Sequence, residues 1–311
     1  MDGRQVAGSH DDGQHPARTR ANDGFRGGGR LLHRVRARVR ARSPLERRRL
    51  GFDNPGPSPQ GARWTVDSAE YDNLAALERD HWYYAGKRRL VRAWIERLRP
   101  PSAHDVLLDC GAGTGLFAAE MERCCRVLVL DDHEESLRML RARFPAGQVL
   151  VPVGGSVPLP DRSLDYLTAL DVLEHIPDDA AAVRGFARLL RAGGLAVVTV
   201  PAGMALWSDW DVALHHQRRY SRRDLCALFG PGDWEIVHVN YTNVVVYPAV
   251  WLLRSWRGWR GNPGGAEKRA EDRLPPRWLN ALLRSIFVRT GLSRVRFPLG
   301  VSLLLVARRR G

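Results

Sequence analysis

The stretch that most constrains the fold is VLLDCGAGTGL, which runs from Val106 to Leu116. Its apolar start is typical of a buried strand, and the pattern after the last glycine is typical of a helix. Between them, three glycines at alternate positions predict a tight turn, because glycine has no Cβ and takes positive φ without strain. Such a turn presents backbone amides at a helix N-terminus, where they can contact a ligand.

The spacing of these glycines separates cofactor classes. A dinucleotide fingerprint, G-x-G-x-x-G, counted from Gly111 requires its third glycine where this chain has Leu116. The chain instead reads D-x-G-x-G-x-G from Asp109 to Gly115. Farther on, the apolar run VLVL ends at Asp131, where a second strand would present a carboxylate to a ribose diol. A dehydrogenase is therefore a weak alternative.

Four segments, in this order, resemble the class I S-adenosylmethionine-dependent methyltransferase family. They are VLLDCGAGTG, VLVLDD, PLPDRSLD and DVLEHIP, and the resemblance covers roughly residues 71–308. It implies S-adenosylmethionine as the cofactor and a doubly wound, mostly parallel seven-stranded sheet, with helices on both faces and an antiparallel last strand. The alternation of predicted strands and helices favours the same α/β class.

The resemblance also implies where the cofactor binds. The glycine loop and the acidic residues after the second strand would hold it, Ser156 would lie beside the adenine, and the carboxyl end of the fourth strand would face it. The segment HWYYAGKRR, from a predicted N-terminal helical region, would close over the methionine end; the alternative places Trp82 in the core and the basic run on a solvated face. The implied cofactor contacts are Asp109, Gly111, Ala112, Gly113, Thr114, Gly115, Asp131, Asp132, Ser156, Asp171, Trp82 and Arg88.

The parts outside the sheet have distinct compositions. Residues 1–65 scatter few apolar side chains among Gly, Arg, Asp and Pro, which predicts a disordered basic tail, and residues 66–311 are predicted to form the methyltransferase domain. Insertions at 203–220 and 242–295 are predicted to cap the substrate. The second contains an apolar, Trp-rich stretch, Val244 to Trp259, interpreted as the roof of the substrate pocket; a membrane-surface contact and a dimer contact are the alternatives.

Methyl transfer from a sulfonium requires an aligned nucleophile, exclusion of water and, for a hydroxyl, removal of a proton. A neutral imidazole accepts a proton near pH 7, so His216 in the first insertion and His175 in LEHIP are the candidate bases. Alternatively, both are structural and water takes the proton. The candidate substrate contacts are Trp207, Trp210, Arg218 and Tyr220, although an ion pair with Asp211 would make the arginine structural.

Charge and composition bear on the partners. The 311-residue chain has a net charge of +14, but much of the excess lies in the arginine-rich tail. We therefore expect a small-molecule acceptor of natural-product or glycan type, with oxygen or nitrogen as the nucleophile. An RNA methyltransferase and a cofactor-binding protein without turnover are the alternatives.

Cysteine usage and hydropathy bear on the compartment. The four cysteines have no metal-site spacing, so we expect no metal ion and a reduced, cytoplasmic protein. No apolar run is long enough to span a bilayer. The sequence carries no signal of oligomeric state.

Overall fold

The computed structural model describes residues 77–208, 211–212, 214–260 and 274–311, with the side chains of residues 257–260 excepted. The predicted tail, residues 1–65, lies outside the described residues. The strands are β1 (Val106–Cys110), β2 (Arg126–Leu130), β3 (Val149–Leu150), β4 (Leu164–Leu170), β5 (Leu190–Pro201), β6 (Trp234–Thr242) and β7 (Ser302–Arg309). They form one seven-stranded sheet in the order β3-β2-β1-β4-β5-β7-β6.

Strands β1 to β5 pair in parallel, whereas β7 lies antiparallel between β5 and β6. The predicted α/β fold with an antiparallel last strand is confirmed. The helices are α1 (Trp82–Leu98), α2 (Leu116–Met121), α3 (Glu134–Arg143), α4 (Asp179–Leu189), α5 (Arg222–Leu228), α6 (Tyr247–Arg260) and α7 (Arg277–Gly291). In the described residues, no helix is both long and apolar enough to cross a membrane.

Two apolar clusters cover the two faces of the sheet. Leu107 of β1 and Tyr166 of β4 belong to the cluster that α1, α2 and α7 complete, whereas Leu108 belongs to the cluster of α4 and α5. Adjacent residues fall into different clusters because successive side chains of a strand point to opposite faces. Both leucines are fully buried, which explains why β1 is a continuous apolar run.

Local sequence explains how α5 begins. The Ser221 hydroxyl accepts a hydrogen bond from the backbone N–H of Asp224, whose carboxylate accepts one in return from the Ser221 N–H. This is the capping box that the three-residue spacing of Ser221 and Asp224 predicts, with aspartate in the third helical position.

The apolar runs of the sequence predict a third strand over residues 148–153 and a fifth strand over residues 195–200, and both strands differ from these lengths. Strand β3 ends at Leu150, because Pro152 has no N–H to donate to a neighbouring strand. The chain then reverses, and Val153 pairs with Ser156. Strand β5 is longer than predicted, since Leu190 already pairs with Leu164 before a bulge.

Candidate active site

The glycine loop follows β1 at the carboxyl edge of the parallel strands. Gly111, Gly113 and Gly115 have φ angles of 68°, 55° and 74°. A Cβ at Gly111 would lie 2.4 Å from Val172, and one at Gly115 would lie 2.6 Å from Phe144, whereas one at Gly113 would meet no atom within 4 Å. The outer two glycines are therefore required by packing, and the middle one leaves open space beside the loop.

Two carboxylates bond directly to the loop. Asp131, which follows β2, accepts hydrogen bonds from the backbone N–H of Gly113 at 2.9 Å and of His133 at 3.0 Å. Glu78, in the helical turn before α1, accepts one from the Thr114 hydroxyl at 2.5 Å. The loop is thus held from both sides by acidic side chains.

A third carboxylate lies beneath the loop. Asp109 is 3% exposed and accepts a hydrogen bond from the Thr168 hydroxyl at 2.7 Å. Burial raises the pKa of Asp109 to about 7; the Thr168 hydrogen bond opposes this shift, and the charges of Glu78 and Asp131 add to it. The negative potential at this edge favours a cationic ligand over a pyrophosphate.

The carboxyl end of β4 carries an ion pair to α1. Asp171 contacts the Lys87 ammonium group and accepts hydrogen bonds from the hydroxyls of Tyr83 at 3.3 Å and Thr199 at 2.9 Å. Burial raises the pKa of Asp171, but the Lys87 charge and these hydrogen bonds outweigh burial, so that the pKa lies below its usual value. Lys87 was not singled out from the sequence, where it appears as one member of a basic run.

A second polar group follows β4 in the motif DVLEHIP. Glu174 is fully buried, and neither of its carboxylate oxygens has a hydrogen-bond partner among the described residues. Burial raises its pKa well above the usual value. His216 Nε2 lies 4.0 Å from Glu174 Oε1, and the ring centroids of His175 and His216 are 4.8 Å apart. The two histidines predicted as candidate bases therefore lie side by side.

Asp211 anchors the insertion that carries His216. One of its oxygens lies 2.9 Å from His216 Nδ1 and accepts a hydrogen bond from Arg219 Nε at 2.7 Å. Arg254, on α6, lies 3.7 Å from the other oxygen. Burial raises the pKa of Asp211, but the His216 hydrogen bond and the Arg219 charge outweigh burial and lower it. With Nδ1 facing Asp211, Nε2 is the ring atom directed at Glu174.

Comparisons with known proteins agree with this geometry. Residues 108–198 match a family model described as a methyltransferase domain. A Mycobacterium tuberculosis protein named "Probable S-adenosylmethionine-dependent methyltransferase" is 31% identical over 180 residues, which cover 57% of this chain and 64% of that relative. The chain thus spans less than two thirds of that relative. Residues 108–198 thus carry a methyltransferase domain, and the chain is similar to class I S-adenosylmethionine-dependent methyltransferases.

Two further proteins illustrate the family. The ubiquinone biosynthesis O-methyltransferase of Albidiferax ferrireducens is 31% identical over 150 residues, or 44% of this chain and 59% of that relative. The solved complex of the Haloferax volcanii Trm112 methyltransferase activator with a methyltransferase is similar in fold, with a TM-score of 0.51 and 16% identity. The match covers 78% of this chain and 95% of that one. S-adenosylmethionine is the cofactor of this family, as the glycine spacing and the neighbouring motifs implied.

In the segment HWYYAGKRR, the two predicted cofactor contacts, Trp82 and Arg88, contact other parts of the protein. Trp82 lies edge-on to Phe287 of α7, with 6.2 Å between ring centroids. Arg88 is 6% exposed; its Nε donates to Glu120 at 2.8 Å, and another nitrogen donates to the Glu78 carbonyl at 2.5 Å. These contacts correspond to the structural alternative for Trp82. They engage the Arg88 guanidinium within the protein, and the bond from Arg88 to the cofactor carboxylate stays a prediction.

The predicted substrate contacts fall into three groups. Trp207 is half-buried, and Trp210 lies outside the described residues. Arg218 pairs with Asp179 at 2.8 Å, and so not with Asp211, whose arginine partner is the neighbouring Arg219. Tyr220 is 3% exposed, and its hydroxyl lies 2.8 Å from the same Asp179. Burial and these bonds give Tyr220 and Arg218 structural contacts, and their substrate roles stay predictions.

The remaining predicted positions differ in exposure. Ala112 is half-buried, whereas Asp132 is exposed after β2 and Ser156 is exposed in the turn after β3. Gly154 and Gly155, in that turn, have φ angles of 57° and 75°. The cofactor roles of Ala112, Asp132 and Ser156 stay predictions.

Most of the Trp-rich stretch forms α6, and its role as the roof of the substrate pocket stays a prediction. Trp251, Leu252 and Trp256 are 44%, 60% and 49% exposed, because that face of the helix points outward. Arg254 instead turns inward, where it contacts Asp211 and the Leu206 carbonyl. The inner face of α6 therefore supports the insertion that carries His216.

Proposed function

We propose that this chain transfers the methyl group of S-adenosylmethionine to an oxygen or nitrogen of a small-molecule acceptor. The observation that carries the proposal is the glycine loop surrounded by Glu78, Asp109 and Asp131. S-adenosylmethionine brings a positive sulfonium and a positive ammonium, whereas a dinucleotide brings a negative pyrophosphate. The carboxylates of Glu78 and Asp131 attract the former and repel the latter, and Asp109 adds to this effect when it is ionised.

The open side of the loop is the proposed path for the cofactor. A side chain at Gly113 would meet no protein atom, so a ligand can lie against that backbone. Asp131 is proposed to exchange its hydrogen bond with Gly113 for the ribose hydroxyls. Asp171, held by Lys87, would line the same edge of the sheet.

The acceptor is assigned to the cluster of Glu174, His175 and His216. Glu174 and His175 follow the carboxyl end of β4, where ligands of open parallel sheets bind, and the insertion after β5 brings His216 beside them. In the reaction, the acceptor atom forms a bond to the methyl carbon, the carbon–sulfur bond breaks, and its electron pair stays on sulfur. The name of the O-methyltransferase relative supports an oxygen nucleophile on a small molecule.

Replacement of Gly113 by leucine tests the cofactor site. The side chain would fill the open space, so we expect S-adenosylhomocysteine affinity, measured by calorimetry, to fall at least tenfold. Positive φ costs a leucine about 1–2 kcal/mol, so the matched control is Gly193→Leu, with φ of 79° and equally open surroundings near the start of β5. Equal affinities in the two variants would contradict the assignment.

Methyl transfer is measured as S-adenosylhomocysteine release with a panel of hydroxylated and amino small molecules. Release that depends on the acceptor, and that Gly113→Leu abolishes, is the expected result. No acceptor-dependent release with any class, despite cofactor binding, would favour the binding protein without turnover.

RNA methylation is a second candidate because of one observation. A cleft of about 700 Å³ beside α1 and α7 is lined by five arginines and two glutamates. Arg88 and Arg92 pair with the glutamates, and the other three arginines are Arg79, Arg89 and Arg284. Clustered arginines bind phosphates through charge and paired N–H groups.

A further inference from the structure

We propose that Glu174, His175 and His216 bind a divalent transition-metal ion of the Zn²⁺ class at the acceptor side of the site. Each residue offers one ligand atom, and the three atoms lie within 4.8 Å of one another. Two imidazoles and a carboxylate form a ligand set that Zn²⁺ uses in catalytic sites, with the fourth position open to water or substrate. Mg²⁺ and Ca²⁺ prefer oxygen ligands.

The buried Glu174 is an independent observation in favour of a cation. Its side chain is fully buried, and both oxygens lack a hydrogen-bond partner among the described residues. A buried, unpartnered carboxyl group is costly to the folded protein. A metal ion beside the two imidazoles would satisfy it.

Asp211 gives the site the outer support that metal-bound histidines have. Its carboxylate lies 2.9 Å from His216 Nδ1, which leaves Nε2 directed at Glu174. Histidine ligands commonly donate their other ring N–H to a carboxylate, which fixes the ring and increases its basicity. Arg219 and Arg254 hold Asp211 in turn.

Small side-chain rotations would complete the coordination. Ligand atoms about 2.1 Å from a tetrahedral ion lie roughly 3.4 Å apart, so the present separations must shorten by roughly 1 Å. His175 is exposed, whereas Glu174 is buried, so the His175 ring, which contacts the His216 ring, can make most of this movement.

The role of the ion rests on the proposed function. In the open position it would bind the acceptor hydroxyl, and a bound hydroxyl loses its proton to solvent at a lower pH than a free one. The oxygen then attacks the methyl carbon, the carbon–sulfur bond breaks, and S-adenosylhomocysteine, the methyl ether and the released proton are the products. The metal is neither oxidised nor reduced.

The test is zinc titration of the full chain after chelator treatment and dialysis, followed by calorimetry. Glu174→Gln keeps the shape but removes the anionic ligand, and His175→Ala removes an exposed ring, so both variants should fold. His104→Ala, at an exposed histidine after α1, is the matched control. We expect one tight zinc ion per chain, weakened at least tenfold in both site variants and unchanged in the control.

Equal zinc affinity in all four proteins, or no tight binding to the unaltered chain, would overturn the proposal. Cobalt absorption gives a second readout, since a tetrahedral site in the unaltered chain should lose its visible bands in Glu174→Gln. Zinc binding that persists in Gly113→Leu, where cofactor affinity is lost, separates the metal site from the cofactor site. The two proposals can therefore fail independently.

Discussion

The Asp109 carboxyl shows how one residue is altered by its place under the glycine loop. Asp109 is the second-last residue of β1 and accepts a hydrogen bond from the Thr168 hydroxyl. Its acidic neighbours are Glu78 and Asp131, and burial raises its pKa to about 7. The folded chain therefore holds a proton there that the unfolded chain has already lost near neutral pH. We propose that a cationic cofactor bound nearby favours the ionised carboxylate, so that Asp109 contributes to cofactor affinity as well as to packing.

Asp109→Asn should change how stability depends on pH. Below about pH 4 both folded and unfolded carboxyls are protonated; between about pH 4 and 7 the unfolded one ionises first, so the free energy of unfolding falls as pH rises. Asparagine does not ionise, so the variant does not lose this free energy of unfolding as the pH rises. The stability gain of the variant should grow from pH 4 to 7 and then level off, at about 1.4 kcal/mol per unit of pKa difference at most. Urea unfolding across this range measures it, and a pH-independent difference would refute the shift.

At the scale of elements, α1 and α7 pack closely because glycines lie at their contact. A Cβ on Gly291 would lie 2.4 Å from Leu90, and one on Gly86 would lie 2.9 Å from Phe287. Trp94 of α1 also donates a hydrogen bond to the Gly291 carbonyl at 3.1 Å. This contact holds α1, which carries Lys87, against the carboxyl edge of the sheet.

Gly291→Ala should destabilise the fold by about 1–3 kcal/mol, because the added methyl overlaps Leu90 in a packed contact. Gly185→Ala is the control on α4, where a Cβ would meet nothing within 4 Å, and there we expect a gain of up to about 1 kcal/mol. Urea midpoints at one pH compare the two. A gain in both variants would show that the α1–α7 contact is looser than described.

At the scale of the whole molecule, the chain divides into two units, Met1–Trp64 and Thr65–Gly311. The strands, the glycine loop and the acidic clusters all belong to the larger unit, whereas the arginine run of the first fifty residues does not. Net charge is therefore a poor guide to the chemistry of the site.

Deletion of residues 1–64 should leave thermal unfolding and S-adenosylhomocysteine affinity unchanged, because the cofactor contacts lie beyond it. The same deletion should abolish any gel shift of the full chain with tRNA, measured over a salt series, since unspecific binding follows the number of neutralised phosphates. A salt-sensitive shift that survives the deletion but is lost on Arg284→Ala would instead favour the arginine-lined cleft and RNA methylation.

Much of the fold follows from short-range pattern. The apolar runs of β1, β2 and β4, the spacing of the three glycines and the capping box at Ser221 each depend on neighbours within a few residues. Such features are encoded by backbone sterics and side-chain periodicity, which operate locally. The family resemblance and the cofactor could therefore be predicted from sequence. The ends of β3 and β5 could not, because they depend on hydrogen bonding between strands.

The acceptor side depended on tertiary structure. Glu174 precedes His175, a predicted base, in the motif DVLEHIP. The sequence does not show its importance; the structure does, because its carboxylate is buried without a hydrogen-bond partner among the described residues. His216 joins it because the insertion docks there, with the Gln217 N–H bonded to the Glu174 carbonyl. Thus the sequence by itself determined the glycine loop, whereas the fold decided which polar groups meet at the proposed acceptor site. The physical reason is that such meetings depend on contacts between segments far apart in the chain, which local propensity does not specify.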